Sequence, residues 1–539
     1  MLRSMSMRRI SIYDSTLRDG AQAQGISYSV ADKLKILSRL DALGVDFIEA
    51  GNPGSNPKDL AFFAQAATLP LSCAQLIAFG ATRRVGLLVE DDASLRALLA
   101  AKTPAVAIFG KSRLRQVEEI LRTTADENLR MIADTVAYLR AQGKTVVFDA
   151  EHFFDGYADD ASYALHTVEA ALLAGATTVC LCDTNGGRFP EEIAAGVRAV
   201  CQRFPDAQVG IHCHNDSELA VANSLAAVDA GACQVQGTMN GLGERCGNAN
   251  LCAIIPNLQL KRGYRCVPDA ALPHLTSTAR WVSEIANVPH NERAAFVGAY
   301  AFAHKGGMHI DAVAKNPASY EHINPGAVGA SRRLLMSEVA GRSTLLASLA
   351  RLAPELDKDS PQTQAIIDRI KALEHEGYQF EAAESSFELV VHRLLGRYTP
   401  PFELVSFKAM IGEPTENGIN SSVLLKVRVS GEEEISAAEG DGPVNALDRA
   451  LRRALERFFP AISQMRLTDY KVRVLDSDQA TAAKVRVLIE SADADASWTT
   501  IGVSTDIINA SRQALTDAME YKLLRDQSTA CAPNTGAVR

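Results

Sequence analysis

The sequence predicts an α/β chain: a closed (β/α)8, or TIM, barrel, then a helical accessory region, then a separate C-terminal α/β domain. Three observations carry this expectation. Between Ile10 and Leu251 short apolar runs recur, each ending in polar or glycine-rich residues and most followed by an Ala/Leu-rich helical pattern. After about residue 285 that alternation stops and helical patterns follow one another. Beyond YTPPF, near residue 400, strand-like and helical segments resume in a new order.

Bulk properties set the frame. At 539 residues the chain is too long for one ordinary core, and its length corresponds to about three to four domains. Hydrophobic content of 47% and charged content of 22% fit a globular protein able to bury sizeable cores. The formal net charge of -9 supplies no overall basic field for nucleic acid or an anionic membrane, so the expected partners are small molecules or copies of the chain itself. Ten cysteines spread along the chain, with Cys180 and Cys182 in a Cys-x-Cys pair, do not form a dense disulfide framework. A reducing cytoplasmic setting is expected. The start MLRSMSMRR is basic without the apolar segment of a secretory signal and reads as a disordered leader. No later run approaches the roughly 18 apolar residues of a membrane helix.

Taken in order, the strand candidates are ISIYDSTLRDG, VDFIEAGNPG, SCAQLIAFG, AVAIFG, TVVFDAEHF, TTVCLCDTNGG, QVGIHCHND and CQVQGTMNGLG. Eight βα units in about 250 residues suggest a closed barrel over 1–285 rather than an open sheet. No G-x-G-x-x-G follows the first strand to favour the doubly wound alternative. Over 286–398 the helical segments are AAFVGAYAFAHKGG, SRRLLMSEVAG, TLLASLARLA and QTQAIIDRIKALEHEG, with PELDKDSPQ as an exposed connection. Over 399–525 SSVLLKVRVS and TAAKVRVLIES alternate as strands, GPVNALDRALRRALERFF and DIINASRQALTDAMEYKLL read as helices, and the expected order is β, α, β, β, α. Residues 526–539 are expected to be a disordered tail.

Polar residues cluster at the carboxyl ends of the barrel strands, the face where such barrels place their chemistry. IHCHND sets His212 and His214 two residues apart on the seventh strand, and alternation turns both imidazoles to the same side. Alone, such a pair is equally well two hydrogen-bonded interior histidines. DSTLRDG places Arg18 and Asp19 at the end of the first strand, where alone they would equally well be a solvated ion pair in a turn. The first and seventh strands of a barrel end near the same opening, and NGLGERCGNANL adds Asn248 after the eighth. A carboxylate, two imidazoles and an amide suit a divalent ion such as Mn²⁺, Mg²⁺, Co²⁺ or Zn²⁺ with positions left open for substrate oxygens. There is no Cys-x-x-C, and so no structural zinc signature.

DSTLRDG, IHCHND and GLGERCGNANL resemble the motifs of the DRE-TIM metallolyases, in particular their condensing branch of isopropylmalate, homocitrate and citramalate synthases. YDSTLRDGAQAQGISYS, PGSNPKD, AFGATRR, FDAEHFFDGY, CDTNGG and GYQFEAAESSFELV are most similar to the long type of citramalate synthase. The resemblance implies a metal-dependent acyltransferase that condenses acetyl-CoA with a 2-oxo acid, here pyruvate, and then hydrolyses the thioester, feeding isoleucine biosynthesis. It further implies that Asp19, His212 and His214 hold the metal with Asn248 as fourth ligand, that Arg18 faces the carbonyl oxygen, and that Thr184 binds the oxo-acid carboxylate. Glu151 matches the family's catalytic glutamate. His309 and Tyr320 match the catalytic pair of the accessory segment, His309 acting across a homodimer from the neighbouring subunit; His304 has a structural role as its alternative. EGDGPVNALDRAL and GVSTDIINASRQAL correspond to the dimeric regulatory domain, for which isoleucine is the expected inhibitor.

Two departures stand out: Asn52, where many relatives carry tryptophan, and Ala21, where isopropylmalate synthases commonly carry glutamate. The competing readings are an isopropylmalate- or homocitrate-type condensation with a larger 2-oxo acid, a metal-dependent aldolase or acyl-CoA lyase, and an amino-acid sensor with a decayed barrel. The intact set Arg18, Asp19, His212, His214 and Glu151 argues against decay.

Overall fold

The computed structural model describes residues 8–305, 307–334, 349, 352–357, 360–380, 383–412, 421–475, 483–493 and 496–531. They form two compact units, Met1–Ala303 with Ala318–Arg333, and His304–Pro317 with Leu334–Arg539.

The first unit contains the barrel. Its strands are β1 (Ser11–Asp14), β2 (Phe47–Glu49), β3 (Gln75–Ala81), β4 (Ala105–Lys111), β5 (Thr145–Glu151), β6 (Thr178–Asp183), β7 (Val209–Cys213) and β8 (Gln234–Gly237), six inside the expected segments and β3 and β4 one residue past theirs. Every strand pairs with the next in parallel, and β8 returns to β1 with Ser11 opposite Gln234, which closes the cylinder. Parallel neighbours require a crossover, and the intervening helices provide it.

Local sequence sets the helix ends. Ser29 and Asp32 form a reciprocal capping box at the start of Val30–Leu43, and Gly44 ends that helix in the left-handed conformation at φ 85°. The helix buries Ile36, Leu37 and Leu40 against the barrel wall. Truncating Leu40 to alanine there would cost about 2–5 kcal/mol.

Alternation along the strands separates two sets of side chains. Ile12, Ile48, Val106, Val146, Ile211 and Val235 belong to the outer core beneath the helices. Tyr13, Ile77, Ala105, Ala107, Val147 and Cys180 fill the barrel interior, which is therefore packed rather than a pore.

The segment AAFVGAYAFAHKGG is not the expected helix. Residues 294–302 form successive turns, with Phe296 at φ 68° and a Tyr300 N–H that bonds back to Glu292 O. Gly298 sits so close to this turn that a Cβ would fall 2.5 Å from Glu292 O. Burial of Phe296, Val297 and Phe302 holds the irregular path; small residues without a sustained 3.6-residue apolar period do not impose a helix. Ala303–His304 is a short strand and Gly307–Lys315 a helix. QTQAIIDRIKALEHEG is helical as expected, over Pro361–Glu376. Most of SRRLLMSEVAG and TLLASLARLA lies outside the described residues.

The C-terminal sheet content exceeds the expectation. Strands Glu403–Ile411, Ser421–Val429 and Glu432–Gly440 form one antiparallel sheet, followed by helix Pro443–Glu456. Strands Arg466–Val474, Val485–Ala492 and Ser497–Ser504 form a second, followed by helix Ile507–Cys531. The order is thus βββα twice, not β, α, β, β, α. Glu432–Gly440 reads EEEISAAEG and buries only Ser436 and Gly440, so ladder pairing rather than an apolar face makes it a strand. Helix Pro443–Glu456 buries Ala446, Leu447, Ala450, Leu451, Ala454 and Leu455 in a core with Val423, Leu425 and Val427.

Two expected boundaries also differ. Helix Glu384–Leu394, inside the predicted accessory region, packs Phe387 and Val391 with Ile501 of the second sheet, so this core begins before residue 399. The last helix runs to Cys531, beyond residue 525, while 532–539 and the leader 1–7 lie outside the described residues.

Candidate active site

Strand polarity brings distant residues to one end of the barrel. Asp19 follows β1, His212 lies on β7 and His214 just beyond it, and their candidate ligand atoms all lie within 4.8 Å of one another. His212 Nε2 is 3.8 Å from Asp19 Oδ2. Asn248 joins them after β8: its Nδ2 donates to Asp19 Oδ1 and to Leu242 O, both at 3.0 Å. Asn248 Oδ1 and His214 Nδ1 are buried without a hydrogen-bond partner among the described residues. Buried polar atoms are normally satisfied, so two unpartnered atoms beside a carboxylate indicate room for a further ligand. The donor set and these open valences fit a divalent cation.

The charge states agree. Burial works to raise the Asp19 carboxyl, but the Arg18 guanidinium and the two imidazoles outweigh it and hold the group well below the usual carboxylate range. Burial lowers His212, with Asp19 opposing. Burial and neighbouring His212 push His214 down to about 4. At neutral pH this leaves an anionic oxygen ligand and two neutral imidazoles, the forms that bind metal.

Arg18 is held on three sides. Its Nε donates to Glu49 Oε2 at 2.6 Å, its Nη1 donates to Asp19 Oδ2 at 3.0 Å, and its Cζ stands 3.8 Å from the centroid of the Phe79 ring. Glu49, fully buried at the end of β2, also accepts from Tyr13 Oη at 2.7 Å. Sequence reasoning missed Glu49; the available signal was a carboxylate ending the otherwise apolar run VDFIEA.

The other expected barrel residues sit at neighbouring strand ends. Glu151 ends β5 and forms an ion pair with Lys111, its register partner on β4, a second residue that sequence reasoning missed. Thr184 follows β6; its Oγ1 accepts from the His152 N–H at 2.8 Å, and its carbonyl accepts from Arg245 Nη2 at 2.8 Å. His152 itself turns into the left-handed region at φ 60°. Asn52 and Ala21, the two departures, line one cavity of about 320 Å³ together with Arg18 and Phe79. His309 lies exposed on helix Gly307–Lys315 of the second unit, and Tyr320 is 48% exposed in the first. Among the described residues, the convergent cluster is built from barrel residues.

Known proteins match the chain in three successive segments. Residues 9–282 match the HMGL-like family, 296–378 the homocitrate synthase post-HMGL domain-like family, and 381–523 the LeuA allosteric (dimerisation) domain. The chain is 50% identical to the (R)-citramalate synthase of Aquifex aeolicus, over 96% of this chain and 98% of that protein. It is 51% identical to the (R)-citramalate synthase of Synechocystis sp., over 95% and 96%. The chain belongs to the citramalate synthase family. The 2-isopropylmalate synthase of Halalkalibacterium halodurans, 31% identical over 96% and 98%, is a more distant relative. The dimerisation module shared with LeuA starts just before helix Glu384–Leu394, in agreement with the packing of that helix on the C-terminal core.

Proposed function

We propose that this chain condenses acetyl-CoA with pyruvate and hydrolyses the resulting thioester, releasing citramalate and CoA. One observation carries the chemistry: Asp19, His212 and His214 converge beside the clamped fork of Arg18, with Asn248 bonded to Asp19. The substrates follow from kinship with the (R)-citramalate synthases.

In this reading Asp19, His212, His214 and Asn248 hold a divalent ion, Mn²⁺, Mg²⁺, Co²⁺ or Zn²⁺, which when bound supplies a Lewis acid for the pyruvate carbonyl. Arg18 cannot release its proton, and it meets the oxygen that gains negative charge as the new carbon–carbon bond forms. Glu49 and Phe79 keep that guanidinium from turning away. Thr184 Oγ1 already accepts from His152 N–H, so its own proton is directed to another acceptor, here the pyruvate carboxylate. Glu151, anchored by Lys111, and the His309 and Tyr320 pair serve the proton transfers: loss of a proton from the acetyl methyl group, protonation of the new alkoxide, and activation of the water that cleaves the thioester. His309 acts from a neighbouring subunit of a homodimer. Isoleucine binds the turns at EGDGP and GVSTD of the C-terminal unit and alters activity by binding two states unequally. The protein works in the cytoplasm; no helix among the described residues is long and apolar enough to cross a membrane.

The test is thiol release from acetyl-CoA across pyruvate, 2-oxobutyrate, 2-oxoisovalerate and 2-oxoglutarate, with and without chelator. Pyruvate should be preferred, and activity should vanish with chelator and return with Mn²⁺. A preference for 2-oxoisovalerate or 2-oxoglutarate would overturn the substrate assignment, and isoleucine without effect on the rate would overturn the regulatory one.

A further inference from the structure

Beneath the cation-binding cluster, the barrel interior holds polar side chains that the chemistry above does not use. Asp149 on β5 and Gln236 on β8 point inward, and both are buried, Gln236 completely. Gln236 Nε2 donates to Asp149 Oδ1 at 3.0 Å, and Gln236 Oε1 stands 3.1 Å from His212 Nδ1. The result is a continuous buried chain from Asp149 through Gln236 to the ring nitrogen of His212 that faces away from Asp19. We propose that Gln236, oriented by Asp149, is a positioning residue that fixes His212 as the tautomer able to bind the catalytic cation. The inference rests on the assignment of His212 as a ligand.

The argument is one of hydrogen-bond polarity. Gln236 Nε2 donates to Asp149 Oδ1; burial raises the Asp149 carboxyl to about 7, so above that pH it is ionised, only accepts, and keeps the amide nitrogen of Gln236 on its own side. The amide oxygen then faces His212, and an oxygen acceptor requires the proton of the neutral ring on Nδ1. That places the lone pair on Nε2, the nitrogen 3.8 Å from Asp19 Oδ2 and within the convergent cluster. Were the amide reversed, its N–H would face Nδ1, the ring proton would move to Nε2, and the ligand lone pair would be lost. Gln236 is inaccessible, so bulk water offers no substitute partner. Partners of this kind, one bond behind a ligating histidine, commonly change metal affinity or activity by about 10–100-fold when removed.

Mn²⁺ binding to the purified full-length protein, followed by electron paramagnetic resonance at pH 7.5, tests this. Gln236→Leu should weaken Mn²⁺ binding by about 10–100-fold while kcat at saturating Mn²⁺ changes much less, because the assembled site is the same once occupied. Gln236→Glu should stay within a few-fold of the native protein, since a protonated carboxyl donates to Asp149 and accepts from His212 in the same positions. Asp149→Asn, whose amide can present either polarity, should be intermediate. Circular dichroism identifies any variant that fails to fold, and the remaining two then carry the comparison. Native Mn²⁺ affinity in Gln236→Leu, or equal loss in Gln236→Leu and Gln236→Glu, would overturn the proposal. His212→Ala separates the two levels: if it too binds Mn²⁺ as the native protein does, the cation site itself is wrong, whereas weakened binding there with native affinity in Gln236→Leu refutes the positioning role alone.

Discussion

The barrel mouth and the Arg393 network of the C-terminal unit both bury charge, but they complete it differently. In the C-terminal unit Arg393 bonds Asp517 at 2.9 Å and Glu520 at 2.6 Å, and Ser386 Oγ donates to the second oxygen of Asp517 at 2.8 Å. Cation and carboxylates there satisfy one another. At the barrel mouth Arg18 is equally well held, yet Asn248 Oδ1 and His214 Nδ1 remain without partners among the described residues. The contrast teaches that buried charge alone does not mark a chemical site. The mark is a charged cluster whose hydrogen bonding stops short, leaving valences that something from solution must complete.

Four measurements test that contrast. The largest effect is expected where the network is complete. Arg393→Met leaves Asp517 and Glu520 buried without their cation and should destabilise the protein by about 3 kcal/mol, near the low end for broken buried pairs because the guanidinium is 34% exposed. Urea unfolding reads this directly, and an unchanged midpoint would mean that the network is not structural. At the barrel mouth the cost should fall on rate. Arg18→Ala should lower kcat by about 10²–10³ at saturating Mn²⁺ and pyruvate, and Arg18→Lys should restore little, because one ammonium cannot reproduce the fork between Glu49 and Asp19. A loss below about tenfold in CoA release would remove Arg18 from the chemistry.

A pH effect follows in size. His214 is held at about 4 in the folded chain by burial and by His212, whereas an unfolded histidine titrates near 6.5. The unfolded state therefore binds more protons between these values, so metal-free protein should lose stability as pH falls from about 6.5 to about 4, by up to roughly 3 kcal/mol. His214→Asn should flatten that slope; an unaltered slope would place the acid sensitivity elsewhere. The smallest effect belongs to solvent. Arg428 bridges Glu403 and Glu433 on an exposed sheet face, and Arg428→Ala should leave the midpoint of the same urea assay nearly unchanged. A loss as large as that of Arg393→Met would erase the distinction between completed buried networks and surface pairs.

Legibility in the sequence followed how locally each feature is specified. The eight barrel strands were readable because each is a short apolar run ended by polar residues, and IHCHND was readable because alternation turns two imidazoles to one side. Glu432–Gly440 was not readable, since its glutamates face solvent and its strand state comes from pairing with Ser421–Val429. The turns at 294–302 were not readable either: apolar composition suggested a helix, and the close approach around Gly298 decided otherwise. Glu49, Lys111, Gln236 and Asp149 escaped notice because each acts through a partner far away in the chain, and no motif spacing records that partnership.

By itself, then, the sequence determined the alternation of strands and helices, the succession of eight such units, and the identity of the ring and carboxylate donors at the strand ends, since all of these depend on neighbours a few residues apart. Tertiary structure alone decided which of those donors remain open, which polar groups stand behind His212, and which charges are already matched. Those outcomes depend on atoms brought within about 3 Å by strand closure, a distance unrelated to separation along the chain.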